Sequence, residues 1–467
     1  MRIIPEIAIT LDEIKLATKA VAHYKANQTI GAIVTHSKEA LPGDLFVALP
    51  ADKTSGEDYI DEATARGAYV LSARSVVADL LVNDTYLALL DIASFYKTKL
   101  TALRTTVAIT GSVGKTTTKN ILSKMLSPYF KVHSTKGNYN NFLGAFHTVM
   151  TTPKNTEILI TELGMNHLGE IGTLSRAIRP DISIITNIGT SHIGNLGSRK
   201  LIATAKLEIL DGMQSPRLIV PYGEPLLSDI QSKRTVSLKE MNADCCVIEK
   251  EIEYTHSLVD IYTKLGKISM QKISLSGRHV LHAIAFSVEV MTELGLNIEK
   301  IKSALSSLDD SLIRAKAIDI GEITVYDDTY SSSPEAVIAD LDFLLLKDNR
   351  RKSCMLGDML ELGVYTESMH KKIGYEAARR GFGKIFAFGV YSPFIKAGAI
   401  SGGLTEDKIF INTDLTAPEY TAKQIFDNYT EGELILFKAS HATHAEKIIE
   451  ILIQLIENKK QKRKGNG

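Results

Sequence analysis

The chain has 467 residues, 44% of them hydrophobic, and its 54 Lys+Arg balance its 54 Asp+Glu. That length predicts about three units with separate cores. The charge balance excludes a global field that would draw in nucleic acid or an anionic membrane, so any anionic ligand must be held locally. The three cysteines, Cys245, Cys246 and Cys354, have no metal-ligand spacing and exclude a disulfide framework. No apolar run reaches the roughly 18 residues of a membrane span. "MRIIPEIAIT" lacks the apolar core and cleavage site of a secretory signal. A cytoplasmic protein without membrane insertion is expected.

Residues 1–100 mix short apolar runs, "GAIV" and "GDLFVAL", with helical patches such as "YIDEATARGA" and "YLALLDIASFYKTKL", which predicts a small α/β domain. From about 104 the rhythm becomes regular. "TTVAIT", "KVHST", "EILITELG" and "ISIITNIG" read as strands, each followed by an amphipathic helix: "TKNILSKMLS", "NFLGAFHTVM", "EIGTLSRAI" and "KLIATAKLEILDGM". Such alternation predicts a parallel sheet with right-handed crossovers. Residues 215–275 turn to β-rich alternation, which predicts an antiparallel flank on the same sheet, and the helices "HVLHAIAFSVEVMTELG" and "NIEKIKSALSSL" follow. After "SLIRAKAIDIG" strands and helices alternate again, from "ITVYDD" to "EKIIEILIQLIE", as in a Rossmann-like domain. The expected fold class is therefore α/β in three domains, 1–100, 101–312 and 313–467, the central one a parallel-sheet ATPase domain. The tail "NKKQKRKGNG" reads as a solvated terminus.

The stretch "VAITGSVGKTTTKNIL" carries the first chemistry. A strand before Gly111 and a helix from Lys115 are the setting of a phosphate loop, whose backbone N–H groups and helix N-terminus receive the anion. Gly111 and Gly114, flanking Ser112, let the backbone approach. Lys115 would neutralise β/γ-phosphate charge, Thr116 would offer its hydroxyl to Mg²⁺, and Thr117 completes the run. A full Walker pattern would have glycine at position 109, where this chain has Ile109, so the match is to a shorter GxxGKTT form. An ordinary turn would leave three consecutive threonines, poor helix formers, unexplained. An ATP site is expected.

Ligands of an open parallel sheet gather at the carboxyl ends of its strands. "ILITELG" places Glu162 there, and "IITNIGTSH" places Asn187 and His192 there. An acid, an amide and an imidazole beside a triphosphate can bind Mg²⁺ and polarise phosphoryl oxygens. Lys206, in "TAKLEIL", reads by itself as a surface lysine paired with Glu208 or a neighbour.

"ITGSVGKTTTKNIL", "GNYNNFLGA", "ITELGMNHLGEI", "ITNIGTSHIGNLGS", "AKLEIL", "DDTYSSSP" and "LGDMLELG" occur in the order and at about the spacing of the Mur ligases. The chain resembles that family over nearly its whole length, and most closely the branch that adds D-Ala-D-Ala to UDP-N-acetylmuramoyl-tripeptide. The resemblance implies an ATP-dependent amide ligase working through an acyl phosphate, with ATP, two Mg²⁺ ions and those two small molecules as partners, and no nucleic acid. A monomer is expected. The N-terminal domain would bind the UDP-sugar peptide and the C-terminal domain would close over ATP and the incoming amine.

By motif, the resemblance implies that Lys115, Glu162, His192 and Lys206 are catalytic. Thr116, Glu162, His192 and a carbamylated Lys206 would hold metal. Gly111, Ser112, Gly114, Thr117, Asn187, His279, Arg314 and Asp328 would bind nucleotide. Ser37, Asn140, Asn141, Tyr330, Ser333, Lys438 and His441 would face substrate.

The chain departs from the family's pattern at the substrate-facing motifs. Asp-Ser-Arg appears as His36-Ser37-Lys38, and Asp-Gly-His as Ser55-Gly56-Glu57. Asparagines after the His279 motif are Val280 and Ala283. Tyr-Asn-Ala-Asn-Pro is "YSSSP" from Tyr330 to Pro334, and Lys-Gly-Ser-Arg is "KASH" from Lys438 to His441. Serine and histidine still hydrogen-bond but lack the reach of asparagine and the charged fork of arginine. Two alternatives stay open on the sequence. One is a paralogue using the same chemistry on another carboxylate, for example ring closure of a nickel-tetrapyrrole coenzyme. The other is a non-catalytic ATP-binding module.

Overall fold

The computed structural model describes residues 1–50, 54–215, 217–252, 256–275, 277–313, 315–347 and 350–465. Its strands fall into three sheets of six, nine and six strands.

The N-terminal sheet runs in the order Arg2–Ile3, Ile33–Val34, Leu45–Val47, Tyr69–Ser72, Leu80–Leu81, Val21–Ala22. Its four inner strands are parallel and its two edges antiparallel. Helix Leu11–Thr18 starts where Thr10 and Glu13 form a reciprocal capping box. Asp84 accepts from the Leu87 N–H and so starts helix Thr85–Thr98, which leads into the central sheet.

The central sheet is parallel from Val132–Ser134 through Ile158–Glu162, Thr105–Thr110, Ile182–Ile185, Leu218–Pro221 and Arg234–Ser237 to Cys245–Ile252. Ser257–Thr263 and Gly266–Ile273 complete it as the antiparallel flank expected from the alternating segment. Thr105–Thr110 is buried beyond its first residue, which suits its run of β-branched side chains. Chain order reverses around it: the strands before and after Ile158–Glu162 in the chain lie on opposite sides of it. The crevice between Thr105–Thr110 and Ile182–Ile185 is therefore a topological switch point, the place where such sheets take ligands.

Helix Lys115–Leu126 buries Ile121, Leu122, Met125 and Leu126, one stripe at helical spacing, in a cluster with Val280, Leu281, Ile284 and Val288 of helix Arg278–Glu293. Each such fully buried Leu or Ile contributes about 1.5–3 kcal/mol.

The C-terminal sheet opens with a hairpin, Lys316–Ile320 and Ile323–Asp328, turned at Gly321 with φ +67°. It continues in parallel through Leu434–Lys438, Lys352–Gly357, Lys384–Phe388 and Ile409–Asn412. Between Lys384–Phe388 and Ile409–Asn412 lies helix Ser392–Ser401, which the sequence reading passes over because Gly398 interrupts its pattern. Among the described residues no helix is long and apolar enough to cross a membrane.

Candidate active site

The phosphate loop leaves strand Thr105–Thr110 and enters helix Lys115–Leu126. Gly111 has φ +150°, and a Cβ there would lie 1.8 Å from Thr186 Oγ1, so no side chain fits. Gly114, at φ +82°, starts the helix with no side-chain cap, leaving its positive end for an anion. Asn187 holds the loop from behind: its Oδ1 accepts from the Ser112 and Val113 N–H groups at 2.9 and 3.0 Å. Ser112 Oγ accepts from Gly189 N at 2.9 Å, and Thr186 Oγ1 donates to Val113 O at 2.6 Å. Asn187 is thus a brace of the loop. Lys115 folds over it, its Nζ donating to Gly111 O at 2.6 Å.

Glu162 ends its strand buried, 2% exposed. Its Oε2 accepts from Thr116 Oγ1 at 2.9 Å and its Oε1 from Asn140 Nδ2 at 2.8 Å, so one carboxylate joins the phosphate loop to the "GNYNN" segment. Asn141 caps helix Phe142–Met150 through Gly144 N. Lys119, which sequence reasoning missed, is buried and donates to Thr135 O and Gly137 O at 2.6 and 3.0 Å, fixing the strand end before that segment.

Lys206 corrects the surface reading. It is 2% exposed, on the face of helix Arg199–Leu207 that also buries Ile202, Ala203 and Ala205. Glu208 is engaged elsewhere, accepting from Gly169 N and Gly172 N at 2.7 and 3.1 Å. Burial, and then the Lys115 ammonium, push the Lys206 amine well below the usual lysine range. His192 has φ +64°, and its Nδ1 lies 2.5 Å from Glu361 Oε2, which reaches it from the C-terminal sheet's side. Its proximity holds the Glu361 carboxyl below its ordinary value.

A cleft of about 380 Å³ is lined by Lys115, Asn140, Asn141, Glu170 and His192, with Tyr86 from the N-terminal unit. A second hollow, about 550 Å³, lies between the central and C-terminal sheets against Leu275, Asp309, Ile313, Tyr326 and Phe343. His279 packs edge-on against Phe343, with ring centres 6.4 Å apart.

Among the described residues no group of three or more His, Cys, Asp or Glu is set to hold a metal. Glu162 with the Thr116 hydroxyl is instead the sparse oxygen set that suits Mg²⁺, which keeps several waters and takes other ligands from phosphates.

In the C-terminal unit Lys438 is buried between Asp328 and Asp340, the latter at 3.0 Å. Burial opposes the charge on Asp328, but Lys438 outweighs it and the carboxyl lies below its usual value. Burial raises Asp340, and the Asp328 carboxylate adds to the rise. Tyr330 and His441 stack with ring centres 5.3 Å apart. Ser333 Oγ accepts from Ala336 N at the start of helix Pro334–Lys347. Ser37 is buried and donates to Glu62 Oε2 at 2.7 Å. Ser72 Oγ donates to both oxygens of Glu57. Arg314 lies outside the described residues. Glu361 sits in the quoted "LGDMLELG", which gave it no role, and Tyr86 carries no motif signal at all.

A phosphate loop at a switch point, a buried carboxylate at the next strand end, a buried amine and a second α/β unit docked over them define a three-unit nucleotide-dependent enzyme. The Mur ligase middle domain matches residues 109–291. The chain is 33% identical over 440 residues to the UDP-N-acetylmuramoyl-tripeptide--D-alanyl-D-alanine ligase of Bacillus subtilis (strain 168), covering 91% of this chain and 93% of the relative. The chain belongs to the Mur ligase family. It superposes on a crystal structure of MurF from Acinetobacter baumannii with a TM-score of 0.86 at 26% identity, covering 97% of this chain and all of that one (100%). MurF ligase from Thermotoga maritima in complex with ADP gives 0.79 at 27% identity, covering 91% and 98%.

Proposed function

We propose that this protein is an ATP-dependent amide ligase of peptidoglycan precursor synthesis, joining D-Ala-D-Ala to UDP-N-acetylmuramoyl-tripeptide. The observation that carries the reading is the single cleft in which Lys115 of the phosphate loop meets Asn140, Asn141 and Tyr86. A γ-phosphate and a substrate carboxylate brought there lie within reach of each other.

The carboxylate oxygen attacks the γ-phosphorus and ADP leaves; the dipeptide amine then attacks the acyl-phosphate carbonyl, phosphate departs, and the new amide gives up a proton. Such chemistry needs positioning and charge neutralisation more than covalent help from the protein. Lys115 and the helix N-terminus at Gly114 cradle the phosphates, with Ser112 and Thr117 beside them and Asn187 setting the loop. Thr116, Glu162 and His192 would hold Mg²⁺, which neutralises phosphate charge when bound. Burial disfavours the charged form of Lys206, and it is the unprotonated amine that adds to CO₂ with release of a proton, so Lys206 is the residue to carry a carbamate; the anion would serve a second Mg²⁺.

His279, Arg314 and Asp328 are assigned to the nucleotide. Asn140, Asn141, Ser37, Tyr330, Ser333, Lys438 and His441 are assigned to substrate, Lys438 acting through Asp328. The division 1–100, 101–312 and 313–467 follows these roles. Closure over the cleft would exclude water, which otherwise hydrolyses the acyl phosphate. A cytoplasmic monomer suits nucleotide-linked small-molecule substrates.

The test is phosphate release from ATP and Mg²⁺ with UDP-N-acetylmuramoyl-tripeptide, with and without D-Ala-D-Ala, and mass spectrometry of the products. Release that needs both, with a pentapeptide product, is expected. Nucleotide binding with no product would overturn the substrate assignment and move the search to other carboxylates.

A further inference from the structure

We infer that Glu361 is a positioning residue: carried by the C-terminal unit, it orients the His192 imidazole of the central unit, so docking of the two units completes the cleft. The inference rests on the ligase reading above for its catalytic consequence only. His192 and Glu361 both adopt left-handed backbone, φ +64° and +62°, uncommon for residues with side chains and persisting where surroundings dictate it. The two turns lock through their backbones as well. Gly194 N donates to Glu361 O at 2.9 Å, and a Cβ on Gly194 would come within 2.5 Å of Gly363 N and 2.6 Å of Glu361 O. Tyr365 OH donates to Gly197 O at 3.0 Å, and Thr190 Oγ1 to Glu335 Oε2 at 3.0 Å, on either side of the contact.

The Glu361 turn is itself supported from within its own unit. His370 is buried, and its Nε2 accepts from Met359 N at 2.9 Å while its Nδ1 lies 2.7 Å from Thr366 O. The Glu361 carboxylate is therefore presented by a braced loop.

His192 Nδ1 and Glu361 Oε2 approach to 2.5 Å as an ion-pair contact that is not aligned as a hydrogen bond; a carboxylate so placed favours the ring form with its N–H on Nδ1. In the neutral ring that leaves Nε2 as the acceptor, the arrangement in which a carboxylate sets an imidazole for a cation or a phosphoryl group. Without the C-terminal unit in place, His192 would have no such partner and its ring would be free to change tautomer.

The experiment uses the full chain labelled with [¹⁵N]histidine, with ADP and Mg²⁺ present, and long-range ¹H–¹⁵N spectra of the ring nitrogens. The His192 signals are assigned by their loss in His192→Gln. Wild type is expected in the Nδ1-protonated form. Glu361→Ala should shift it towards the Nε2-protonated form, whereas Glu361→Gln, still an acceptor, should retain it. Turnover should fall about 10- to 100-fold in Glu361→Ala and recover to within a few-fold in Glu361→Gln. An unchanged tautomer in Glu361→Ala overturns the inference, as does equal loss of turnover in both variants. Should Glu361→Ala not fold, Gly194→Ala, which blocks the approach of the turns, is expected to shift the same signals, and no shift there overturns it. If wild type forms no pentapeptide, the ligase reading fails while the spectra still decide the contact.

Discussion

At Glu289 both carboxylate oxygens are buried without a hydrogen-bond partner among the described residues, on helix Arg278–Glu293. Burial, then the charges of Asp244 and Glu293, push its pKa up to about 7 from 4.5. The folded protein therefore binds a proton that the unfolded chain releases near its ordinary value. Stability from this group is complete below about pH 4.5 and is lost as pH rises through 7, a change on the order of 3 kcal/mol. Thermal midpoints are expected to fall between pH 5 and 8.5, and Glu289→Gln should flatten that slope. A slope unaltered by the substitution would place the titrating group elsewhere. None of this is legible in "SVEVMTELG", which reads only as part of a helix.

The strand–loop–helix element was legible almost residue by residue, because glycines, lysine and threonines act there within a few positions of one another. What stood outside the pattern was its support. Asn187 looked like a ligand residue at a strand end, yet it accepts two loop N–H bonds. Each such bond is worth about 0.5–1.5 kcal/mol net. Asn187→Ala is therefore expected to weaken ADP binding by roughly 10- to 100-fold while the melting temperature stays close to wild type; titration calorimetry reads the first and a thermal scan the second. Unchanged affinity would mean that the loop holds its shape without the brace.

Across the whole molecule, residues from separate sheets meet at the cleft. Tyr86, in the first turn of helix Thr85–Thr98, lines that cleft together with Lys115. Tyr86→Ala should raise KM for the nucleotide-linked peptide several-fold and leave ADP affinity within about two-fold, since no phosphate contact is involved. Steady-state kinetics with each substrate varied in turn separates the two, and a matching rise in KM for ATP would remove Tyr86 from the acceptor side.

Three α/β units, a parallel central sheet with an antiparallel flank, the strand, glycine turn and helix around Gly111–Thr117 and Glu162 at a strand end were all determined by the sequence alone. Each depends on hydrophobic period or on residue types a few positions apart. Tertiary structure alone decided that Lys206 is a buried amine, that Lys438 sits between Asp328 and Asp340, and that Glu361 meets His192. The state of a charged side chain is set by what packs over it, and for these residues that cover comes from elements distant in the chain, which no local pattern records.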